Sequence, residues 1–166
     1  KKKLGRDFEY IPAPLDPKRF VNIPDIKKNQ KQIVYVGRNS FEKGIDILKK
    51  IEADINGNVK YCTSLPWNKA MEILKASQVF VLPSRVESVP QSILEAFFLK
   101  VPVIATDVGG VHEIVINNKT GLLIAPNNSS ELLDKINYLL NDSELCNTLA
   151  NNAYEFITKN FSWEAL

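Results

Sequence analysis

The fold is predicted from the stretch Val79-Phe-Val-Leu-Pro-Ser-Arg-Val-Glu87-Ser-Val-Pro90-Gln-Ser-Ile-Leu-Glu95. Its apolar start is typical of a strand buried on both faces of a sheet. Pro90 fits the first turn of a helix, where a missing N–H costs no hydrogen bond. The stretch therefore predicts a strand, a turn that carries Glu87, and a helix that carries Glu95 in its second turn.

Two carboxylates beside a helix N-terminus indicate a particular ligand chemistry. The N-terminus has partial positive charge and unpaired N–H groups, which suit a phosphate, and carboxylates suit hydroxyl groups. We therefore interpret Glu87 and Glu95 as parts of a site for a phosphorylated sugar. At 100° per residue, Glu95 falls between Phe98 and Leu99, so we expect it to be partly withdrawn from water. The alternative is that Glu95 lies on a wet helix face and Glu87 is an ordinary loop acid.

Short apolar runs alternate with helical patterns along the rest of the chain. Strands are predicted at 33–37, 59–63, 79–82, 101–106 and 121–125. Helices are predicted at 44–53, 68–76, 90–100, 111–116, 131–140 and 143–159. This alternation predicts an α/β fold, a Rossmann-like parallel sheet with helices on both faces. Residues 1–32, interrupted by four prolines, are predicted to be a lead-in segment that packs on the domain formed by residues 33–166.

Composition excludes several classes of function. At 166 residues and 45% hydrophobic content, the chain has the size of one globular domain. Its net charge of +2 is exceeded by the three lysines at residues 1–3, so we expect no nucleic-acid partner. Cys62, Cys146 and His112 form no metal-binding or disulfide pattern, which favours a reducing, cytoplasmic setting. No apolar run approaches 18 residues, so any membrane contact is expected to be peripheral.

Further polar and glycine residues follow the ends of predicted strands: Gly37, Arg38, Lys43, Gly109 and Gly110. In an open parallel sheet these residues gather with Glu87 at the carboxyl edge, where ligands bind. Neither a dinucleotide-binding glycine fingerprint nor a Walker loop occurs. Arg38 and Lys43 suit a diphosphate. The alternatives are that both are solvated loop charges and that the two glycines form a plain turn.

Four segments in order, at 36–44, 81–96, 102–113 and 120–124, closely resemble the carboxyl-terminal half of retaining GT-B glycosyltransferases, the group 1 or family 4 enzymes. The resemblance covers most of the chain. It begins at Ile11-Pro-Ala-Pro-Leu-Asp16 and ends at Phe161-Ser-Trp163.

The resemblance implies roles for individual residues. Glu95 corresponds to the acid that binds the ribose of a nucleoside diphosphate sugar, and Glu87 to the acid that faces the donor sugar. Arg38 and Lys43 correspond to the basic pair on the diphosphate and, with Glu87, are the expected catalytic residues. The turn that meets the sugar and phosphate corresponds to Ser88, Val89, Pro90 and Gln91.

The resemblance also implies a reaction. A second, amino-terminal domain, which this chain does not include, would bind a saccharide or lipid-linked acceptor, as in polysaccharide or glycoconjugate biosynthesis. Retention of configuration is implied. No D-x-D motif occurs, so we expect no metal and no cofactor. The isolated chain is expected to bind a nucleoside diphosphate weakly and to transfer no sugar. The alternatives are a GT-B sugar-nucleotide 2-epimerase and a non-catalytic nucleotide-sugar-binding module.

The sequence departs from the family pattern at two places. Only residues 52–58 separate the first helix from the second strand, so the sheet is predicted to be one β-α unit shorter than usual. The nucleobase pocket would then have to come from the loop Thr63-Ser-Leu-Pro-Trp67, which adds Ser64 and Leu65 to the candidate donor site. His112 stands where the family commonly has proline, and we assign it no chemistry.

Overall fold

A computed structural model describes residues 15–161, which form a five-stranded, wholly parallel sheet. The strands are β1 (Asn29–Val36), β2 (Asn58–Cys62), β3 (Ser77–Leu82), β4 (Val103–Thr106) and β5 (Leu122–Ile124). The helices are α1 (Ile45–Ile51), α2 (Trp67–Ala76), α3 (Gln91–Phe98), α4 (Val111–Ile114), α5 (Ser129–Asn141) and α6 (Ser143–Asn160). Short 3₁₀ turns lie at Pro17–Phe20, Phe41–Lys43 and Glu52–Asp54.

The sheet is buried between two layers of helices. Every residue of β4 is buried, and β3 is buried from Val79 to Leu82, as expected for strands covered on both faces. The helix α1 packs against α5, while α2 and α6 pack against α3. Large side chains such as Phe80 and Phe97 fill the space between the layers. The predicted α/β, Rossmann-like architecture is confirmed.

The order of the strands determines where a ligand can bind. The sheet runs β2-β1-β3-β4-β5, so the chain leaves β1 toward one side and continues from β3 toward the other. At such a reversal the loops after the two neighbouring strands diverge and leave a crevice above their carboxyl ends. The crevice here lies between the β1–α1 loop (37–44) and the β3–α3 loop (83–90).

The predicted elements are present, with two corrections. The strand β1 begins at Asn29, so residues 29–32 belong to the sheet and not to the lead-in. The sequence hides this start because it is polar and because the pairing with β3 is irregular after Asn29. The helix α3 begins at Gln91, with Pro90 at its N-cap position and not inside the helix.

The connection from α1 to β2 is as short as predicted. It consists of the 3₁₀ turn Glu52–Asp54 and residues 55–57, which leave no room for another strand and helix. The described part of the lead-in packs on the domain through Phe20 and Ile23, both buried. The segment resemblances at 11–14 and 162–163 lie outside the described residues. Among the described helices, none is both long and apolar enough to cross a membrane.

Candidate functional site

Lys43 and Glu87 meet across the crevice. The Lys43 ammonium lies 2.7 Å from Glu87 Oε1, and the Ser84 hydroxyl donates to the same oxygen at 2.7 Å. The Glu87 side chain is only 6% exposed and that of Lys43 is 21% exposed, so this ion pair is largely shielded from water. One lysine proton is engaged, and Glu87 Oε2 has no hydrogen-bond donor among the described residues. The pair therefore keeps binding capacity toward a ligand.

Arg38 lies on the same loop as Lys43 and is exposed. No acidic side chain of residues 15–161 forms an ion pair with its guanidinium. The Tyr35 hydroxyl, at the end of β1, donates to the Arg38 carbonyl oxygen at 2.7 Å, and this hydrogen bond fixes the start of the loop. Burial, and then the charge of Glu87, raise the pKa of Tyr35 to about 12, so this hydroxyl remains a donor at neutral pH. Gly37 packs closely on that ring, since a Cβ there would lie 3.0 Å from the hydroxyl oxygen.

Glu95 is buried on the inner side of α3, with 6% of its surface exposed, and the prediction that it is withdrawn from water is confirmed. The Trp67 indole N–H donates to Glu95 Oε1 at 2.7 Å, and the Arg19 guanidinium lies 3.8 Å from the same oxygen. Burial raises the pKa of Glu95, while the Trp67 hydrogen bond and the Arg19 charge act in the opposite direction.

Sequence reasoning did not predict that Trp67 and Arg19 contact Glu95. The Arg19 guanidinium lies over the Trp67 ring, 4.4 Å from its centroid, and Phe20 packs edge-on against the same ring at 5.2 Å. The 3₁₀ turn of the lead-in thus covers Glu95. Trp67 had a usable signal, because it ends the loop already assigned to the nucleobase. Arg19 had none, because it lies in a proline-rich segment without periodicity.

The turn predicted to meet the sugar and phosphate leads directly into the N-terminus of α3. No side chain of residues 15–161 caps it, and Ile93 is the first helix residue whose N–H bonds back, to the Pro90 carbonyl at 3.1 Å. The N–H groups of Gln91 and Ser92 have no partner among the described residues. Ser88 and Gln91 are exposed and Val89 is half-buried, so the turn is accessible.

Gly109 and Gly110 support the Glu87 turn from the side. The N–H of Gly110 donates to the Ser88 carbonyl at 2.8 Å. Gly109 has a φ of +54°, and a Cβ there would collide with the Glu87 carbonyl oxygen. The close approach that these glycines permit is therefore to the backbone of residues 87–88, which explains both of them without a ligand.

The remaining candidates lie at the margin. Ser64 and Leu65 are exposed in the loop after β2, at the same edge of the sheet. The Ser64 hydroxyl makes no hydrogen bond within residues 15–161. His112 is exposed and its Nδ1 lies 3.5 Å from Asp107 Oδ1. Cys62 and Cys146 are buried free thiols. Within the described chain, no three His, Cys, Asp or Glu residues are grouped so that they could hold a metal ion.

Comparison with known proteins identifies the family. A sequence profile of the family described as glycosyl transferases group 1 matches residues 50–156, which is more than half of the chain. The chain belongs to this family. An uncharacterized glycosyltransferase of Methanocaldococcus jannaschii is 36% identical over 139 residues, covering 84% of this chain and 32% of that protein. The region that the family profile matches, residues 50–156, contains Glu87 and Glu95, whereas Arg38 and Lys43 precede that region.

Solved structures agree with this group 1 glycosyltransferase assignment. Sucrose-phosphate synthase from Thermosynechococcus elongatus superposes with a TM-score of 0.80 at 25% identity, covering 93% of this chain and 49% of that one. The carboxyl-terminal domain of a group 1 glycosyl transferase, LpcC, from Francisella tularensis superposes with a TM-score of 0.70 at 22% identity, covering 82% of this chain and 89% of that domain. The chain therefore corresponds to a carboxyl-terminal GT-B domain and spans half or less of the full-length relatives named here.

Proposed function

We propose that this group 1 glycosyltransferase domain binds a nucleoside diphosphate sugar in the crevice above β1 and β3, and that the whole protein transfers the sugar to an acceptor with retention of configuration. The observation that supports the proposal best is the shielded Lys43–Glu87 pair, which lies at the switch point of the sheet beside the uncapped N-terminus of α3. A cation, a carboxylate and free N–H groups together match a phosphorylated sugar.

Departure of the diphosphate is the step that this chain can assist. As the sugar–oxygen bond breaks, negative charge grows on the leaving phosphate, and preorganised positive groups stabilise it. Lys43 has two further N–H groups besides the one near Glu87, and the exposed Arg38 lies on the same loop. The α3 N-terminus adds partial positive charge. These groups supply the required stabilisation from protein atoms alone, so we propose that transfer is independent of a metal.

The two acids have separate roles in this proposal. Glu87 Oε2 accepts hydrogen bonds from donor-sugar hydroxyls, while Oε1 stays with Ser84 and Lys43. Glu95 Oε1 is held by Trp67, which leaves Oε2 for the ribose hydroxyls. The exposed loop that carries Ser64 and Leu65 would lie beside the base. A carboxylate whose first oxygen is fixed by the protein presents the second one in a defined direction, which lowers the entropy lost on binding.

The rest of the reaction is assigned to a second domain. This chain supplies donor contacts, and an acceptor-binding domain would complete the cleft. We therefore propose a saccharide or lipid-linked acceptor, a cytoplasmic location with at most peripheral membrane contact, and no sugar transfer by this chain alone.

Calorimetric titration of the chain with UDP and GDP tests the donor site. We expect at least one of the two to bind, and Lys43→Ala to weaken that binding by about tenfold, the effect of one charge-assisted hydrogen bond. Lys119→Ala is the matched control, because Lys119 is exposed in the loop before β5 and its side chain bonds to no described residue. Equal affinities for the two variants would contradict the assignment of the crevice.

A further inference from the structure

Arg85 joins three loops at the carboxyl edge of the sheet. Its guanidinium forms a two-pronged ion pair with Asp46, at 2.7 Å for each oxygen, and donates to the Phe41 carbonyl at 2.6 Å. Its Nε–H donates to Asn127 Oδ1 at 2.7 Å. The guanidinium carbon also lies over the Phe41 ring, 3.8 Å from its centroid. One side chain of the β3–α3 loop thus holds the β1–α1 and β5–α5 loops.

Except for Asn127, the residues that make these contacts are close neighbours of Lys43 and Glu87 along the chain. Arg85 precedes Glu87 by two residues, and the carbonyls of Phe41 and Glu42 immediately precede Lys43. The Arg85 backbone N–H donates to the Glu42 carbonyl at 2.7 Å, so the two loops are joined through backbone as well as side chain. The distance between the Lys43 ammonium and the Glu87 carboxylate therefore depends on the contacts that the Arg85 side chain makes.

Arg85 has little capacity left to bind a ligand itself. A guanidinium carries five N–H groups, and four of them are bonded to Asn127, Phe41 and Asp46. The side chain is 17% exposed. An arginine that served as an anion ligand would instead present a free pair of N–H groups to the crevice.

We propose that Arg85 is a positioning residue for the donor site: through its clamp on Phe41 and Asp46 it holds the β1–α1 loop on the β3–α3 loop and so places Lys43 against Glu87 and the diphosphate. This inference rests on the proposed function. Positioning and direct anion binding by Arg85 predict opposite effects of changing Asp46, which allows a sharp test.

The test is the UDP affinity of Asp46→Asn. This substitution removes one negative charge from the first turn of α1 and frees Arg85, so direct anion binding by Arg85 would make UDP bind more tightly. Positioning predicts weaker binding, by about three- to fivefold, the effect that an exposed two-pronged pair can transmit. Arg85→Lys keeps the charge but loses the forked contact with Asp46 and the guanidinium contact with the Phe41 ring, and we expect it to weaken binding at least as much.

Asp134→Asn is the control, since it makes the same charge change on the exposed side of α5. Its UDP affinity is expected to equal that of the wild type. UDP binding by Asp46→Asn that is equal to or tighter than that of the wild type would overturn the positioning role. If the wild-type chain binds no nucleoside diphosphate, the donor-site proposal fails, and a second measurement decides the positioning role independently.

That second measurement is the rate of trypsin cleavage after Lys43, which requires no ligand. Lys43 is mostly shielded while the clamp holds its loop, so release of the loop exposes the bond to the protease. We expect faster cleavage in Asp46→Asn and Arg85→Lys than in the wild type and in Asp134→Asn. Equal rates in all four proteins would overturn the role of Arg85.

Discussion

The Trp67 indole N–H donates a hydrogen bond of 2.7 Å to Glu95 Oε1. Trp67 is the first residue of α2 and Glu95 lies within α3, so this bond joins the helix that follows β2 to the helix that follows β3. Arg19 covers the indole and approaches the same carboxylate oxygen. The protein therefore engages Oε1 of Glu95, while no described residue donates a hydrogen bond to Oε2, and it buries a charged group to do so.

Burial of Glu95 should make the stability of the protein depend on pH. Because burial raises the pKa of Glu95, the folded protein binds this proton more tightly than the unfolded chain does. The stabilisation that this tighter proton binding gives the folded protein is complete below the ordinary glutamate pKa of about 4.3. It is lost as pH rises through the raised pKa of Glu95. Glu95→Gln has no such loss, so its free energy of unfolding should gain on that of the wild type as pH rises.

Urea unfolding of both proteins between about pH 4 and pH 8 measures this difference. Glu155→Gln, an exposed acid on α6, is the control and should follow the wild type. A constant difference between Glu95→Gln and the wild type across that range would mean that folding does not raise the pKa of Glu95, because the Trp67 hydrogen bond and the Arg19 charge offset its burial in full.

The same substitution should weaken nucleotide binding. If Glu95 holds the ribose, Glu95→Gln costs about 1.5 to 3 kcal/mol of UDP affinity, and a 2′,3′-dideoxy UDP already lacks that contribution in the wild type. The two losses should not add when variant and analogue are combined. Additive losses in calorimetric titrations would assign Glu95 a purely structural role in α3.

Glu87→Gln should separate binding of the diphosphate from binding of the sugar. The Glu87 carboxylate lies 2.7 Å from the Lys43 ammonium and so partly neutralises the positive charge that a phosphate would meet. We therefore expect Glu87→Gln to bind UDP about threefold more tightly than the wild type, a gain typical of a released ion pair. Titration with the cognate sugar nucleotide should show this gain offset by the lost sugar contact. Weaker binding of bare UDP would contradict this expectation and would mean that Glu87 holds Lys43 in position for the diphosphate.

Metal independence can be tested on the same chain. Arg38, Lys43 and the α3 N-terminus supply positive charge from protein atoms, so the affinity for UDP should be unchanged by EDTA and by added Mg²⁺. Calorimetry in the two buffers measures both effects. A tenfold or greater loss of affinity in EDTA would reveal a cation that the donor site requires.

The sequence predicted the parts of the fold and site that depend on local patterns. Buried parallel strands appear as short apolar runs, and the carboxyl ends of such strands must share one edge, which is why Lys43 and Glu87 were expected together. The burial of Glu95 followed from its position on the helix. The start of β1 at Asn29 was missed because its residues are polar.

The contacts that sequence reasoning missed join residues far apart in the chain. Arg19 reaches Glu95 from the lead-in, and Arg85 reaches both Asp46 and Asn127. No periodicity reports which long side chain will cross between loops, because the choice depends on rotamers and on the exact separation of the strand ends. Gly109 was ambiguous for a similar reason, since the backbone that it approaches lies in another loop.

We propose that the donor binds at the carboxyl edge of the sheet, above β1 and β3. A competing place exists at the opposite edge of the sheet, where a cavity of about 330 Å³ is lined by Lys28, Gln78 and Cys146 among others. Burial lowers the pKa of Lys28 to about 8, and its ammonium bonds to two backbone carbonyls, so this cavity is a poorer anion site than the crevice.

Titration of ¹⁵N-labelled chain with UDP, followed by amide chemical shifts, distinguishes the two places most directly. We predict the largest shifts at residues 38–43 and 84–92, including the N–H groups of Gln91 and Ser92, which bond to no residue of the described chain. Lys119→Ala should give the same pattern and Lys43→Ala a weaker one at equal UDP concentration. Shifts concentrated instead around Lys28 and Gln78 would contradict the donor site proposed for this glycosyltransferase domain.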